Sequence, residues 1–323
     1  MATCSADQHI KIFEKESTGW ELSASFKAHD SAIIKVTWAG PEYGQVIASC
    51  SHDATVRIFE EDPKEPLHSP RRWKKRHVIS DFRGPLYDVE FAPSHLGLKL
   101  ASIGSDGTFR VHEALDPNTL SYWTLSAEVN MLTNPVARHL QSSFALSWCP
   151  SMFFKEYIVC CVLEDGFIYQ RDHMGKFIKV AQLPEHKGLI RDVAWAPSMG
   201  RSYQLIATAS KDGFVRIFKV FPVDKSEDAT NGNNKYSDDL LQDTDINDDE
   251  EVVSSRAPGP LKVELLSQFD DHRGEVWRVS WNLTGTILAS AGDDGKTRFW
   301  KSSYSGSFQS MAVVSAEQRD DET

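Results

Sequence analysis

Histidine, serine or threonine, and aspartate recur at matching offsets in this sequence: His29, Ser49 and Asp53; His186, Thr208 and Asp212; His272, Ser290 and Asp294, the last set extended by Trp300. Such a set could perform nucleophilic chemistry, with imidazole as base and carboxylate as its orienting partner. A catalytic constellation is usually unique in a chain, whereas this one returns. Recurrence favours a structural role, a buried hydrogen-bond chain in which Asp accepts from His and from turn amides. Phe59 and Phe218 stand where Trp300 closes the third set. They carry no N–H, so those two chains are one member shorter. No phosphate-binding glycine loop, zinc-protease helix motif or nucleophile elbow occurs, so no catalytic, cofactor-binding or metal-binding residue and no cofactor is expected. The cysteines are five, Cys4, Cys50, Cys149, Cys160 and Cys161, with no CxxC pair. That argues against a disulfide framework or zinc site and fits a reducing compartment. A net charge of −11 disfavours direct nucleic-acid binding.

The polar sets sit inside a repeat. "ATCSADQHIKIF" (2–13), "ASCSHDATVRIF" (48–59), "ASIGSDGTFRVH" (101–112), "CCVLEDGFIYQR" (160–171), "ATASKDGFVRIF" (207–218) and "ASAGDDGKTRFW" (289–300) share small residues, an aspartate, then alternating apolar positions. The shared aspartates are Asp7, Asp53, Asp106, Asp165, Asp212 and Asp294. Each copy reads as strand, tight turn, half-buried strand. An apolar strand precedes most copies, as in "HDSAIIKVTW" (29–38), "HKGLIRDVAW" (186–195) and "HRGEVWRVSW" (272–281), and another follows each, from "WELSASF" (20–26) to "FQSMAVV" (308–314). Four-stranded units repeated six times, with essentially no helix, predict an all-β propeller of WD-repeat type. Units three and four lack the His, and unit four ends in Arg171 instead of an aromatic. Those blades are expected to be less rigid.

The expected organisation is one propeller over 1–314, with blades at about 1–28, 29–80, 81–127, 139–184, 186–269 and 270–314. Between Pro222 and Arg256, eleven acidic residues face three basic ones. An acidic disordered insertion in blade five is therefore expected over 222–260, and a polar tail over 315–323. No apolar run is long enough for a transmembrane helix. The one basic run, "PRRWKKRH" (70–77), reads as a localisation signal, a contact for an acidic partner, or the charged lead-in to an outer strand. Trp20, Trp73 and Trp123, in or beside outer strands, are candidates for partner contacts or for packing between blades.

The stretches "EYGQVIASCSHD" (42–53), "FAPSHLGLKLASIGSDG" (91–107), "HLQSSFALSWCPS" (139–151), "HKGLIRDVAWAPSMGRSYQLIATASKDGFVRIFK" (186–219) and "GEVWRVSWNLTGTILASAGDDGK" (274–296) carry a resemblance beyond the repeat. The chain resembles the SEH-type nucleoporins, WD-repeat subunits of the Y-shaped nuclear pore scaffold. The resemblance implies a structural role without catalysis in pore assembly, mRNA export and protein import. It implies an open six-bladed ring completed in trans by a blade from an α-solenoid nucleoporin, by strand addition. It further implies contacts with other Y-subcomplex nucleoporins, and a second role in the SEA/GATOR complex of TORC signalling. The implied locations are the nucleus, nuclear pore and nuclear envelope, and peripherally the vacuole membrane. The last unit has its own fourth strand, so no clasp closing the ring is visible. Family members carry an innermost strand of blade one ahead of the position of Met1. A truncated or misassigned start is expected, leaving Ala2, Thr3, Cys4 and Ser5 as a candidate partner-facing open edge.

Two alternatives belong beside this reading: the sister coat-type propeller of COPII vesicles, and a closed WD-repeat adaptor that reads a peptide. An enzyme fits least. Loop-closure entropy depends weakly on length. Deletion of residues 226–251 is therefore expected to leave the melting temperature nearly unchanged, as differential scanning calorimetry of the two chains would show.

Overall fold

The computed structural model describes residues 1–17, 19–66, 68–69, 71–132, 141–223, 261–304 and 306–315. The expected acidic insertion, from residue 224 on, and the expected tail, from 316 on, lie outside the described residues.

Small and apolar residues alternate through each repeat unit, and each unit forms an antiparallel meander. Blade one holds β1 (Ala2–Cys4), β2 (His9–Lys15) and β3 (Trp20–Lys27). Blade two holds β4 (Ile33–Trp38), β5 (Val46–Ser51), β6 (Val56–Glu61) and β7 (Trp73–Ile79). Blade three holds β8 (Leu86–Phe91), β9 (Lys99–Gly104), β10 (Thr108–Ala114) and β11 (Trp123–Asn130). Blade four holds β12 (Phe144–Trp148), β13 (Tyr157–Val162), β14 (Asp165–Arg171) and β15 (Phe177–Leu183). Blade five holds β16 (Ile190–Trp195), β17 (Gln204–Ser210), β18 (Val215–Pro222) and β19 (Leu261–Phe269). Blade six holds β20 (Val276–Trp281), β21 (Ile287–Gly292), β22 (Lys296–Ser302) and β23 (Phe308–Ser315). The only helical elements among the described residues are single 3₁₀ turns at Pro41–Tyr43 and Ser94–Leu96. The fold is thus an all-β six-bladed propeller whose first blade has three strands, as the repeat implied.

One irregularity recurs in every blade. The register between the last two strands slips once, at Ile12/Phe13, Ile58/Phe59, Val111/His112, Ile168/Tyr169, Ile217/Phe218 and Phe299/Trp300. A bulge increases local twist, and here it falls at the same place between the last two strands of every blade.

Apolar residues from consecutive blades meet in five clusters, between blades one and two, two and three, three and four, four and five, and five and six. The second strands of the middle blades are buried on both faces, as in β9, β13 and β17. Adjacent residues of a strand serve opposite neighbours: Cys160 packs towards blade three and Cys161 towards blade five. All five cysteines are free thiols. The basic run is answered within its own hairpin. Arg72 pairs with Glu61 at 2.6 Å, Lys74 with Asp62 at 2.5 Å and Arg76 with Glu60 at 2.5 Å. Trp73 is buried against Phe26 and Trp38. Trp123 is half-buried and donates to the Leu120 carbonyl, whereas Trp20 is exposed.

Around the axis, the innermost strands β4, β8, β12, β16 and β20 are tied sideways by buried carboxylates. Asp88 accepts from its own neighbour, the Val89 amide, at 2.7 Å, and from the Leu146 amide of blade four at 3.0 Å. Lys35 of blade two reaches the same carboxylate at 2.5 Å. Asp192 repeats the arrangement, accepting from the Val193 amide and from the Val279 amide of blade six, each at 3.0 Å. Arg278 lies 3.7 Å from it. Burial works against the Lys35 ammonium, but the Asp88, Glu90 and Asp192 carboxylates outweigh it and raise its pKa above the ordinary lysine value. Asp88→Ala strips this ammonium and two amides of their acceptor at once. It should lower the unfolding free energy in urea by about 3–5 kcal/mol. Adding Lys35→Met to that variant should recover part of the loss.

Candidate partner interface

The three His-centred sets differ once folded. In blade six the chain is complete: His272 Nδ1 meets Asp294 at 2.9 Å, His272 Nε2 meets Ser290 Oγ at 2.8 Å, and Trp300 Nε1 donates to that hydroxyl at 2.9 Å. In blade two, His29 joins Asp53 at 2.9 Å and Ser49 at 2.7 Å, and Thr55 donates to Asp53 at 2.6 Å. In blade five, His186 meets Thr208 at 2.9 Å, but Asp212 does not join them. Its carboxylate is gripped by Arg216 at 3.1 and 2.8 Å instead. His29, Ser49, Thr208, His272, Ser290 and Trp300 are buried, so a nucleophile there would be sealed from substrate.

Arg216 belongs to a pattern the motif strings contained but motif reasoning passed over. Four residues after the turn aspartate, Arg57, Arg110, Arg216 and Arg298 fold back onto Asp53, Asp106, Asp212 and Asp294. Residues four apart on a strand share a face, which makes the pairing possible. Blade one has Lys11 at this place, and Asp7 instead accepts from the His9 amide at 2.9 Å. Asp165 departs from its sisters. The turn in blade four is Leu163–Glu164, and Asp165 already opens β14, exposed. In blades one, two and five a serine two residues before the aspartate accepts the aspartate's amide, as Ser5, Ser51 and Ser210 do, while blades three and six have Gly104 and Gly292 there. Leu163 has no oxygen to offer there. Histidine is also replaced. In blade three His112 pairs with Asp81 at 2.9 Å, and in blade four Arg171 donates to Ser126 of blade three at 2.6 Å. Among the described residues no group of three or more His, Cys, Asp or Glu is placed to hold a metal.

Blades six and one stand apart from this regularity. No apolar cluster of the described residues contains members of both. Blade six buries Leu288, Ser290 and Trp300 towards blade five, while Ile287, Ala289, Ala291 and Phe299 on the other face are only half-buried. Ala312 and Val314 extend that face across β23, and both are exposed. Arg278, opposite Ala291, lies on the same side. Blade one turns Ile10, Ile12 and Ala24 towards blade two and leaves Leu22 exposed. Of the candidate edge residues, Ala2, Thr3 and Cys4 form β1, which among the described residues pairs with β2 alone. Ser5 lies beyond it, its carbonyl accepting from the Ile33 amide of blade two.

The WD domain, G-beta repeat family matches residues 20–60, 177–219 and 263–301. Across nearly its whole length the chain is 52% identical to nucleoporin SEH1 of Saccharomyces cerevisiae, covering 98% of this chain and 93% of that protein. It is 41% identical to nucleoporin seh1 of Schizosaccharomyces pombe over 99% and 91% of the two chains. Against human nucleoporin SEH1 the identity is 36% over 97% and 81%. The chain belongs to the SEH1 nucleoporin family. In this chain the His-centred sets each fasten the loop ahead of a blade to that blade's own second strand. No helix among the described residues is long and apolar enough to cross a membrane.

The His-centred chains give this SEH1-type propeller an acid-sensitive element. Burial, helped by the Arg216 cation, pushes the His186 imidazole down to about 4. Burial also lowers His29, with Asp53 opposing. The unfolded chain takes up the proton near the ordinary histidine value of about 6.5. The folded chain takes it up only near 4, so stability present above pH 6.5 is lost as the pH falls towards 4. Melting temperatures should drop across that window, and His186→Gln, which keeps a donor for Thr208, should drop less.

Proposed function

We propose that this protein is a non-catalytic scaffold of the nuclear pore. Its open side, between blades six and one, receives a blade donated by an α-solenoid nucleoporin. The observation that carries the reading is the half-exposed apolar face of Ile287, Ala289, Ala291 and Phe299. In blade five the corresponding strand, β17, is buried throughout because a neighbour covers it. A donated blade would cover blade six in the same way and bury blade one's outward face. Membership of the SEH1 nucleoporin family supports the setting. The half-exposed face of blade six supports the manner of assembly, since every other pair of consecutive blades buries such a face in an apolar cluster between them.

The test is to mix the chain with the N-terminal segment of an α-solenoid nucleoporin. Co-elution on size exclusion and a higher melting temperature are expected. Phe299→Glu, placing a charge in the middle of the face, should weaken association by about 2 kcal/mol or more while leaving the far-ultraviolet circular dichroism unchanged. An unchanged melting temperature and separate elution of the two chains would refute the reading.

A further inference from the structure

The innermost strands of blades two to six end alike. Each closes on an aromatic residue, Trp38, Phe91, Trp148, Trp195 or Trp281, and runs into the loop that leads to the second strand. The residues just before those aromatics are Thr37, Glu90, Ser147, Ala194 and Ser280. Four are small and uncharged, and one is a carboxylate. At this end of the axis, blades three, four, five and six enclose a cavity of about 350 Å³. Glu90 is the one charged side chain lining it, in company with Ser147, Ser280 and the rings of Trp148, Trp195 and Trp281. Each indole N–H already has an acceptor: Trp148 donates to the Glu90 carbonyl at 3.3 Å, Trp195 to Gln204 at 3.3 Å and Trp281 to the Ala194 carbonyl at 3.1 Å. The indoles therefore give the cavity ring surface and no spare donor.

The charge of Glu90 is not cancelled from within. Lys35 holds Asp88 at 2.5 Å, and no ion pair among the described residues includes Glu90. Burial pushes its carboxyl up to about 7, against the Lys35 ammonium and with the help of Asp88. The side chain is nonetheless half-exposed, open towards the cavity. A cation arriving there would meet a carboxylate poorly screened by water. The loops around the mouth are apolar where they meet solvent. Met152 and Phe153 stand out from loop 149–156, Met199 from loop 196–203 and Leu283 from loop 282–286, with Phe153 and Leu283 exposed by 93% and 92%. The turns between second and third strands, at the opposite end of these blades, expose no large apolar side chain. Apolar side chains gathered in this way mark an interaction surface. Arg201 braces two of the loops, donating to the Pro197 carbonyl at 2.7 Å and the Gly285 carbonyl at 2.9 Å.

We propose that this end of the axis is a docking site for a partner polypeptide, which inserts one lysine side chain into the cavity and lays apolar neighbours on the rim. The ammonium meets the Glu90 carboxylate, the four-carbon stem passes the indole walls, and the flanking side chains cover Met199 and Leu283. Lysine suits the site better than arginine. A guanidinium is matched by a fork of acceptors, whereas the Glu90 carboxylate is already shared with the Ser147 side chain and the Trp148 backbone. The same carboxylate turns acidic segments away, and the chain's net charge of −11 favours the approach of a cationic one. The site lies at the axis, apart from the face of blade six that a donated blade would cover, and does not rest on that reading.

The probe is an end-blocked heptapeptide with lysine at its centre, phenylalanine and then leucine on either side, and serine at both ends. Titrated calorimetrically into the full chain, it should bind saturably. The same peptide with norleucine in place of lysine keeps the stem and loses the charge, and it should bind roughly tenfold or more weakly, a difference of about 1.4 kcal/mol. Glu90→Gln should erase that preference by weakening the lysine peptide alone, with circular dichroism and melting temperature reporting that the propeller stays folded. Leu283→Ser, on the exposed rim, should weaken both peptides alike. Adding the N-terminal segment of an α-solenoid nucleoporin should leave both affinities unchanged, so either reading can fail without the other. Equal binding of the two peptides would overturn the proposal. So would a lysine preference that survives Glu90→Gln, or the lack of saturable binding by the lysine peptide.

Discussion

A carboxylate that accepts two backbone amides at once holds the centre of this molecule together. The innermost strand of each blade has one edge turned to the axis, where an amide without a partner would cost about 1–3 kcal/mol. Asp88 and Asp192 answer that cost twice each, once within their own strand and once across to the next blade. Their negative charge would be expensive in so closed a place without Lys35 and Arg278 beside them. The blades are therefore positioned by a polar lattice at the axis and by apolar clusters further out. The His-centred chains act at a third radius, tying the loop ahead of a blade to its second strand.

Much of this was legible in the residues, and the boundary follows the range of the interactions. The aspartate turns could be found because turn chemistry is local. A small residue, a serine and an aspartate within a few positions make their own hydrogen bonds. Asp165 escaped that logic because the turn of blade four falls one residue earlier, at Leu163–Glu164, and Asp165 already opens β14. The folded-back arginines were visible as letters, but alternation alone cannot tell an arginine in solvent from one gripping a carboxylate on the same face. The axial aspartates were hardest. Leu146 lies 58 residues from Asp88, and Val279 lies 87 from Asp192. No local pattern distinguishes them from ordinary polar residues of a half-buried strand.

The His-centred sets show how far a repeated motif tolerates substitution. Blade six keeps all four members, blade two manages with phenylalanine, and blade five breaks the link between His186 and Asp212 in favour of Arg216. Blades three and four dispense with the histidine and use His112 with Asp81, and Arg171 with Ser126. What persists is that each of these blades is fastened by side-chain hydrogen bonds, from its leading loop to its own strands or, in blade four, to the blade before. A site whose members can be exchanged in this way maintains architecture, in keeping with the SEH1 family to which the chain belongs.

Every blade is made from consecutive strands, and each packs on the blades before and after it in sequence. With no apolar cluster among the described residues joining the last blade to the first, the contacts between blades follow those of a short linear array. In such arrays each unit draws stability from its nearest neighbours, so the units at the two ends are held from one side only. Blades one and six are those end units. Cooperativity should be greatest around blades three to five and fall towards blades one and six, and that is where fraying would begin.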